Sequence, residues 1–279
     1  MTDQYLAGYL SSLALPANLL SATEYALLQG GKRLRPVLAW MSAMAVGAPG
    51  EAALPACAAV EFVHAFSLVH DDLPAMDNDL MRRGKPTLHV HAGECMAILA
   101  GDMMLALAFD IIPQRVPDAG RAGALSRELS RATRDMIVGQ VYDTLGGLAP
   151  GQAPPQRLFT IHANKTGALI RASCVMGAIC GGANADQIDT LARFGDCIGQ
   201  LYQVVDDLID ATQTDEQAGK ATGKDAKMGK LTYPEVFGVA ETERIAERLG
   251  GQGVRLLNEL KGDTEPLRAL AAYLGSRRS

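Results

Sequence analysis

Two clusters of aspartate residues could carry chemistry, because each lies in or at the end of an apolar stretch with helical spacing. The first cluster runs DDLPAMD from Asp71 to Asp77, and Asp79 follows it. Pro74 has no amide hydrogen and restricts the residue before it, so we expect the helix to stop or bend near Leu73. The C-terminal end of a helix carries partial negative charge, so carboxylates crowd there unfavourably unless a cation is bound. Magnesium, which combines a few carboxylates with phosphate oxygens, fits this need; a solvated acidic loop is the alternative.

The second cluster, QVVDDLID from Gln203 to Asp210, lies inside another apolar helical stretch. Asp206 and Asp210 are four residues apart and therefore share one helix face. At a separation of roughly 5 Å and an effective dielectric constant near 20, two such charges repel by about 3 kcal/mol. Two clusters of this kind, one on each of two helices, predict metal ions held between facing helices and shared with a phosphorylated ligand.

Basic segments supply the opposite charge. They are GGKRLRP at 30–36, RRGKP at 82–86, KTG at 165–167 and the lysines of 219–230. Arginine matches phosphate oxygens with its planar fork, and adjacent glycines let the backbone approach them. A nucleotide phosphate-binding loop does not fit the last segment, because five residues instead of four separate Gly223 from Gly229 and Leu231 follows Lys230 where Ser or Thr is required.

The elements that position these residues must be mainly helical. The 279-residue chain is 48% hydrophobic but only 5% aromatic, a composition that favours helices over strands and provides a sizeable core. From Leu54 to Leu73, the residues Val60, Val63, Ser67 and Asp71 recur along one helix side. Breaks are predicted at clusters of Gly and Pro near 47–50, 84–86, 113–120, 146–155, 181–184, 219–229 and 250–253. With no low-complexity linker or clear internal repeat, we predict one all-α domain over residues 1–279 with ten or more helices.

Several classes of protein are disfavoured. A net charge of −5 argues against a general nucleic-acid binder. Asp3 stands where a secretory signal would be basic, and Glu61, Asp102 and Arg171 interrupt the most apolar stretches, so we expect a cytoplasmic protein without a membrane span. Five cysteines without a CxxC pair argue against a disulfide framework or a structural zinc.

Taken in order, these motifs resemble the trans-isoprenyl diphosphate synthases, most closely the bacterial farnesyl diphosphate synthase type, which has two extra residues inside the first aspartate motif. The resemblance runs from Glu24 to Phe237 and rests on GGKRLRP, DDLPAMD with RRGKPT, KTGALI, QVVDDLID, and GK followed ten residues later by GKLTYP. It implies an isoprenoid synthase-type helical bundle around a deep central cavity. It also implies a magnesium-dependent homodimeric prenyltransferase that condenses isopentenyl diphosphate with dimethylallyl or geranyl diphosphate. The product so implied is (2E,6E)-farnesyl diphosphate, made by ionisation, condensation and elimination.

The resemblance implies a role for each matching residue. Three magnesium ions are implied. Asp71 and Asp77 are the ligands of two of these ions, with Asp72 as their supporting residue. Asp206 is the ligand of the third ion, supported by Asp207 and Asp210. The allylic diphosphate is neutralised by the basic residues Arg82, Lys165, Lys220 and Lys230. The diphosphate of isopentenyl diphosphate is bound by Lys32, Arg35, His64 and Arg83. The allylic carbocation faces the oxygens of Thr166, Gln203 and the Lys165 carbonyl.

Product length is set in this family just upstream of the first aspartate motif. Here those residues are Phe66 and Ser67, five and four residues before Asp71, or roughly one to one and a half helical turns below it. The bulky ring of Phe66 resembles the floor that stops elongation at fifteen carbons, whereas ordinary core packing is the alternative role for this residue.

Some residues depart from the family pattern or stay outside it. Leu80 and Met81 follow Asp79 where relatives usually have another Asp and then Leu, so this chain has one fewer outer carboxylate. His89 and His91 form an HxH without a nearby third ligand, which favours an ordinary loop. Gln140 and Asp143 match a GQxxD element and, with Asp102, are expected to support the site from behind.

Three other functions compete with a farnesyl product. The nearest is a geranyl or geranylgeranyl diphosphate synthase of the same family. A terpene cyclase shares the acidic clusters but has no use for Lys32, Arg35 and His64, and 5% aromatic content is low for a pocket that guides cations. A non-catalytic partner subunit predicts damaged aspartate motifs, whereas both are whole here.

Overall fold

The computed structural model describes residues 1–212 and 231–276. Its helices are α1 Thr2–Ser11, α2 Ala17–Leu28, α3 Leu34–Ala45, α4 Leu54–Asp71, α5 Leu88–Ala92, α6 Glu94–Arg115, α7 Ala119–Thr144, α8 Pro154–His162, α9 Ala168–Cys180, α10 Ala185–Thr212, α11 Tyr233–Phe237, α12 Val239–Leu256 and α13 Glu265–Ser276. Two short 3₁₀ turns, Gly50–Ala53 and Leu257–Glu259, and a π-helical turn, Ala163–Gly167, join some of them. The strands β1 Met81–Arg82 and β2 Lys85–Pro86 form one antiparallel hairpin. The prediction of an all-α fold with ten or more helices is confirmed.

Helix α4 is the central element of the core. It packs against α3, α6 and α9, and twelve of its eighteen residues are buried. A helix that is apolar on nearly every side is stable only when other helices surround it. One cluster of buried side chains surrounds α4, and a second joins α9 and α10 to α12 and α13. The two aspartate motifs therefore lie on helices that the core holds rigidly.

The chain reverses direction where α4 ends, as Pro74 predicts. The helix ends at Asp71, and the amide of Asp77 then donates to the carbonyl of Asp71 at 2.8 Å. Asn78 adopts a left-handed backbone with φ +52°, and its amide donates to the carbonyl of Leu73 at 3.1 Å. The loop holds the five residues between Asp71 and Asp77 and returns Asp77 to the end of α4, next to Asp71.

The predicted breaks are mostly confirmed, but the one at 250–253 is wrong. Those glycines lie inside α12. Gly253 packs closely against Phe194, and a Cβ on Gly250 would lie 3.7 Å from the Ala271 carbonyl of α13. Glycine here permits close helix packing, and tertiary contacts outweigh its low helix propensity. Pro113 also falls within a helix, in the last turn of α6, and the predicted break at 219–229 lies outside the described residues.

Two stretches, Gly50–Asp71 and Glu94–Arg115, are long and apolar enough to span a membrane, with mean hydropathies of 1.7 and 2.0. By length and hydropathy alone, the charged residues Glu61 and Asp102 do not exclude these two stretches as membrane spans. A core helix passes the same test, and 67% of the first stretch is buried inside the protein. Because α4 packs on three neighbouring helices, we identify it as a core helix.

Candidate active site

A cavity of about 600 Å³ lies beside the C-terminal half of α4. The predicted site residues that line it are Arg35, His64, Phe66, Ser67, Asp71, Lys165 and Thr166. Helix α7 and the residue after it form another part of its wall, through Met136, Ile137, Gln140, Val141, Thr144 and Leu145. Its volume is in the range of small-molecule sites, and it joins charged groups to a long apolar wall. The structure thus brings predicted metal, diphosphate and chain-length residues into one cavity.

Asp71 is positioned at the cavity by the last turn of α4. Burial raises the pKa of its carboxyl from 3.8 to about 6, Lys165 opposes the shift, and the nearby charge of Asp77 adds to it. A carboxylate that is costly to ionise and lies beside a second one is stabilised by a cation. The donors are hard oxygens, the type that magnesium prefers, so these residues fit the ion that the family implies.

Asp72 points away from that cavity and holds Arg82. The Nε of Arg82 donates to both Asp72 oxygens, at 2.9 and 2.8 Å, and Nη2 donates to Oδ1 at 2.6 Å. The carboxylate is nearly fully buried, so the forked arrangement replaces its lost hydration. Asp72 and Arg82 line a smaller pocket with Arg83. This placement suits the supporting role that the resemblance implies for Asp72.

Lys165 and Thr166 are presented by the π-helical turn between α8 and α9. Lys165 Nζ donates to Asp143 Oδ2 at 2.6 Å, and Thr166 Oγ1 donates to Gln203 Oε1 at 3.1 Å. The turn lies directly on α7 because residue 139 is glycine: a Cβ there would be 2.1 Å from the Lys165 amide nitrogen. Such π-helical turns are frequent at functional sites, where they change the direction of side chains relative to a regular α-helix. Here the turn connects α7 to the second aspartate motif.

Within that motif, Asp207 acts as an internal anchor. It is buried and accepts from Gln203 Nε2 at 2.8 Å and from the Tyr233 amide at 2.9 Å. His162 Nε2 lies 3.8 Å from its Oδ2, and burial lowers the pKa of this imidazole to about 4, so it is neutral at pH 7. Asp207 thereby joins α10 to the start of α11, while Asp206 and Asp210 are partly exposed on the same helix.

Across residues 1–212 and 231–276, no three His, Cys, Asp or Glu side chains converge closely enough to hold a metal ion by themselves. Magnesium usually keeps several waters and binds through one or two carboxylates together with substrate phosphates. The separate carboxylates are therefore suited to a site that the diphosphate completes.

The second predicted diphosphate site lies where α3 begins. Arg35 and His64 face the cavity, and Arg35 Nε is buried with no hydrogen-bond partner among the described residues. Burial lowers the pKa of His64 well below its usual range, and Arg35 and Arg83 lower it further. Arg83 donates to the Gly30 carbonyl, which ties the hairpin to the loop before α3. The neutral imidazole of His64 and the Nε–H of Arg35 can each donate a hydrogen bond to an anion in the cavity.

Some expectations fall outside this geometry. Lys220 and Lys230 lie outside the described residues. Asp102 is exposed on α6, whereas Asp143 directly contacts Lys165, as a supporting residue should. The expected loop at His89 and His91 is wrong, because both lie in the short helix α5, where the ring of His91 stacks on Tyr25 and His89 contacts Thr87. Four largely buried residues, Arg33, Glu61, His162 and Tyr233, were not predicted to belong to the site. Arg33 and Tyr233 lie inside recognised motifs, whereas Glu61 and His162 do not.

The raised pKa of Asp71 predicts a stability difference that can be measured without activity. In the unfolded chain its pKa is near 3.8 and in the folded protein about 6, so wild type loses stability as pH rises from about 4 to 6. Without magnesium at pH 7.5, Asp71→Asn should therefore be more stable than wild type by roughly 3 kcal/mol. Urea unfolding in EDTA at pH 7.5 and pH 4 measures this, and the difference should shrink at the lower pH. A less stable variant at pH 7.5 would contradict this role of burial.

Comparison with known proteins decides the family. A model of the polyprenyl synthetase family matches residues 16–259. The chain belongs to this family. It is 42% identical over 275 residues to geranylgeranyl pyrophosphate synthase 11, chloroplastic, of Arabidopsis thaliana, covering 94% of this chain and 75% of that protein.

Solved structures agree with this assignment. An FPP/GFPP synthase from Zymomonas mobilis superposes with a TM-score of 0.84 at 33% identity, covering 98% of this chain and 96% of that one. A geranylgeranyl pyrophosphate synthetase from Pyrococcus horikoshii gives a TM-score of 0.88 at 26% identity, covering 99% and 95%. The protein is thus a prenyltransferase with the isoprenoid synthase fold, and these two predictions are confirmed.

Proposed function

We propose that this prenyltransferase condenses isopentenyl diphosphate with allylic diphosphates, starting from dimethylallyl or geranyl diphosphate, and releases geranylgeranyl diphosphate. The observation that carries the reaction is the cavity itself. It places Asp71 and Lys165 at the same apolar chamber as Arg35 and His64, so two diphosphates can be held with their hydrocarbon chains in contact.

The allylic diphosphate is the leaving group. Its carbon–oxygen bond breaks with the electron pair going to oxygen. Lys165, at the cavity, stabilises the charge that develops, and Arg82, in the adjoining smaller pocket, is the second cation of the proposal. Asp143 and Asp72 hold these two cations in place. Magnesium, bound by Asp71, Asp77 and Asp206, would supply further positive charge to the diphosphate. Three ions are part of this proposal.

The resulting allylic cation needs surroundings that stabilise it without trapping it. Thr166 offers hydroxyl lone pairs to the cavity, because its hydrogen is donated to Gln203, which Asp207 orients in turn. The double bond of isopentenyl diphosphate then attacks, a carbon–carbon bond forms, and a proton is lost to the released diphosphate. The apolar wall of α7 keeps water from the cation.

The similarity to named relatives changes the expected product length from fifteen to twenty carbons. A farnesyl product rests on Phe66, which does line the cavity and packs edge-on against His70 with ring centroids 5.7 Å apart. The 42% identity to a synthase named for geranylgeranyl diphosphate favours twenty carbons instead. A farnesyl product is the second candidate, and Phe66 is the observation that favours it.

Product analysis distinguishes the two. The protein is incubated with geranyl diphosphate and excess labelled isopentenyl diphosphate, and the hydrolysed products are separated by chromatography over time. We expect farnesol at early times and geranylgeraniol as the final product. Accumulation of farnesol alone, with isopentenyl diphosphate remaining, would overturn the twenty-carbon proposal and leave the prenyltransferase assignment intact.

We also propose that the protein is a cytoplasmic homodimer whose interface is formed by α6 and α7, which pack side by side. Apolar side chains on these helices and at the residue after α7 are 43–80% exposed: Ile98, Leu99, Ile137, Val141 and Leu145. Clustered exposed apolar residues commonly mark interfaces between subunits. Because several of them also line the cavity, a second copy would complete its wall.

Light scattering after size exclusion should accordingly give twice the chain mass of 29.5 kDa. Leu99→Arg should shift the protein toward monomer, because it would place a charge in the interface. Val239→Arg, at an apolar residue of similar exposure on α12, is the matched control and should remain dimeric. A monomeric wild type would contradict the proposal.

A further inference from the structure

A buried ion pair holds the loop that carries Lys32 and Arg35. The Arg33 guanidinium donates to Glu61 Oε1 and, through Nη2, to the Leu27 carbonyl at 2.7 Å. The side chains of Arg33 and Glu61 are only 12% and 2% exposed. Arg33 therefore points inward, while Lys32 before it and Arg35 two residues after it serve the proposed diphosphate site.

The backbone at Arg33 is held in an uncommon conformation. Its φ of +47° lies in the left-handed region, and it immediately precedes the first residue of α3. A non-glycine residue keeps this conformation only where surrounding contacts impose it. The bonds to Glu61 and Leu27 provide those contacts, together with an ion pair of 2.8 Å between Arg33 Nε and the exposed carboxylate of Asp3. They set the direction in which the chain enters α3, and so the placement of Lys32 before the turn and Arg35 after it.

The buried negative charge of Glu61 also acts on two further arginines. Burial lowers the pKa of Arg35, and the charge of Glu61 opposes that shift; the same holds for Arg83. Glu61 lies three residues before His64, so both occupy the same side of α4. A carboxylate beside an anion site weakens anion binding directly, since like charges repel. A carboxylate at this position is therefore expected to have a structural benefit larger than the cost of its repulsion of the bound diphosphate.

We propose that Glu61 is a positioning residue for the isopentenyl diphosphate site: by holding Arg33 it fixes the loop that presents Lys32 and Arg35. The inference rests on the proposed function, which places isopentenyl diphosphate at these cations. Neither Arg33 nor Glu61 is proposed to contact the substrate.

Whether Glu61→Gln raises or lowers the KM for isopentenyl diphosphate distinguishes this positioning role from a purely electrostatic one. If Glu61 acted only as a nearby negative charge, Glu61→Gln would lower the KM for isopentenyl diphosphate. If it positions the loop, the same change releases Arg33 and raises that KM. A role in stability alone changes the unfolding midpoint and leaves the KM unchanged, because a buried ion pair can matter for folding without touching the site.

The experiment measures both KM values and kcat for wild type, Glu61→Gln and Arg33→Lys, and the Kd of isopentenyl diphosphate by titration calorimetry. We expect Glu61→Gln to raise the KM and Kd for isopentenyl diphosphate at least tenfold, with kcat and the KM for geranyl diphosphate within threefold. Arg33→Lys keeps the charge but not the fork that reaches both Glu61 and Leu27, so we expect a smaller rise in the same direction.

Glu128→Gln is the matched control. Glu128 is another largely buried carboxylate that accepts from two arginines, Arg131 at 2.6 Å and Arg171 at 2.9 Å, away from the cavity. Its loss should reduce stability without moving the KM for isopentenyl diphosphate. An unchanged or lowered KM in both Glu61→Gln and Arg33→Lys would overturn the inference; should Glu61→Gln fail to fold, Arg33→Lys decides by the same criterion. Absence of elongation by wild type would instead count against the proposed function.

Discussion

Replacing Asp71 by asparagine should lower kcat on the order of 10³-fold while the fold remains intact. Metal-assisted stabilisation of a leaving group contributes several kcal/mol, and each 1.36 kcal/mol corresponds to a tenfold change in rate. Asp71 is the cavity-facing carboxylate at the end of α4, and asparagine keeps its shape but removes the charge that would bind magnesium. Steady-state kinetics at saturating substrates and magnesium measure the effect.

The single change is more informative than the double change with Asp72. Asp72 holds Arg82 through three short contacts, so its loss would disturb a cation as well as a carboxylate. Asp102→Asn, at an exposed aspartate on α6 that does not line the cavity, is the control and should keep kcat within twofold. Retention of most activity in Asp71→Asn would remove Asp71 from the metal site.

Replacing Phe66 by alanine should lengthen the main product by at least one five-carbon unit. Phe66 lies five residues before Asp71, about 7.5 Å along the axis of α4, so its ring borders the chain that grows from the metal site. Removing the ring extends the cavity at that depth. The ring already faces open space, so the loss of stability should fall below the 3 to 5 kcal/mol typical of Phe→Ala in a packed core, or about 2 kcal/mol.

Phe62, one turn earlier on α4, provides the control. Its ring is fully buried against Tyr9, at 6.1 Å between centroids, and does not line the cavity. Phe62→Leu and Phe62→Ala should therefore cost stability without altering the product, whereas Phe66→Leu and Phe66→Ala should shift it in graded fashion. An unchanged product distribution in Phe66→Ala would show that the ring is ordinary core packing and that another part of the cavity ends elongation.

The parts of the site that depend on local signals could be predicted from the sequence. Pro74 ends α4 within two residues of the predicted point, and the resulting turn places Asp77 against Asp71. The helical spacing in α4 puts His64, Phe66 and Asp71 at one cavity. These features follow from backbone restriction and a fixed helical period, which act over a few residues and need no knowledge of distant packing.

Features that depend on distant contacts could not be predicted in this way. The glycines at 250–253 look like a break until α12 is seen to pack on Phe194 and α13. The π turn that aims Lys165 depends on its approach to Gly139, and Glu61 meets Arg33 from a different helix. Product length belongs to the same group, because the path of the growing chain is set jointly by α4 and α7.

In the proposed reaction, two diphosphate substrates meet in the cavity between Asp71 and Arg35. Incorporation of labelled isopentenyl diphosphate into acid-labile allylic product, by the purified protein with dimethylallyl or geranyl diphosphate, tests it most directly. We predict incorporation that requires both substrates and magnesium, is abolished by EDTA and is restored by added magnesium. No incorporation by folded, magnesium-loaded protein with any allylic substrate would contradict the account.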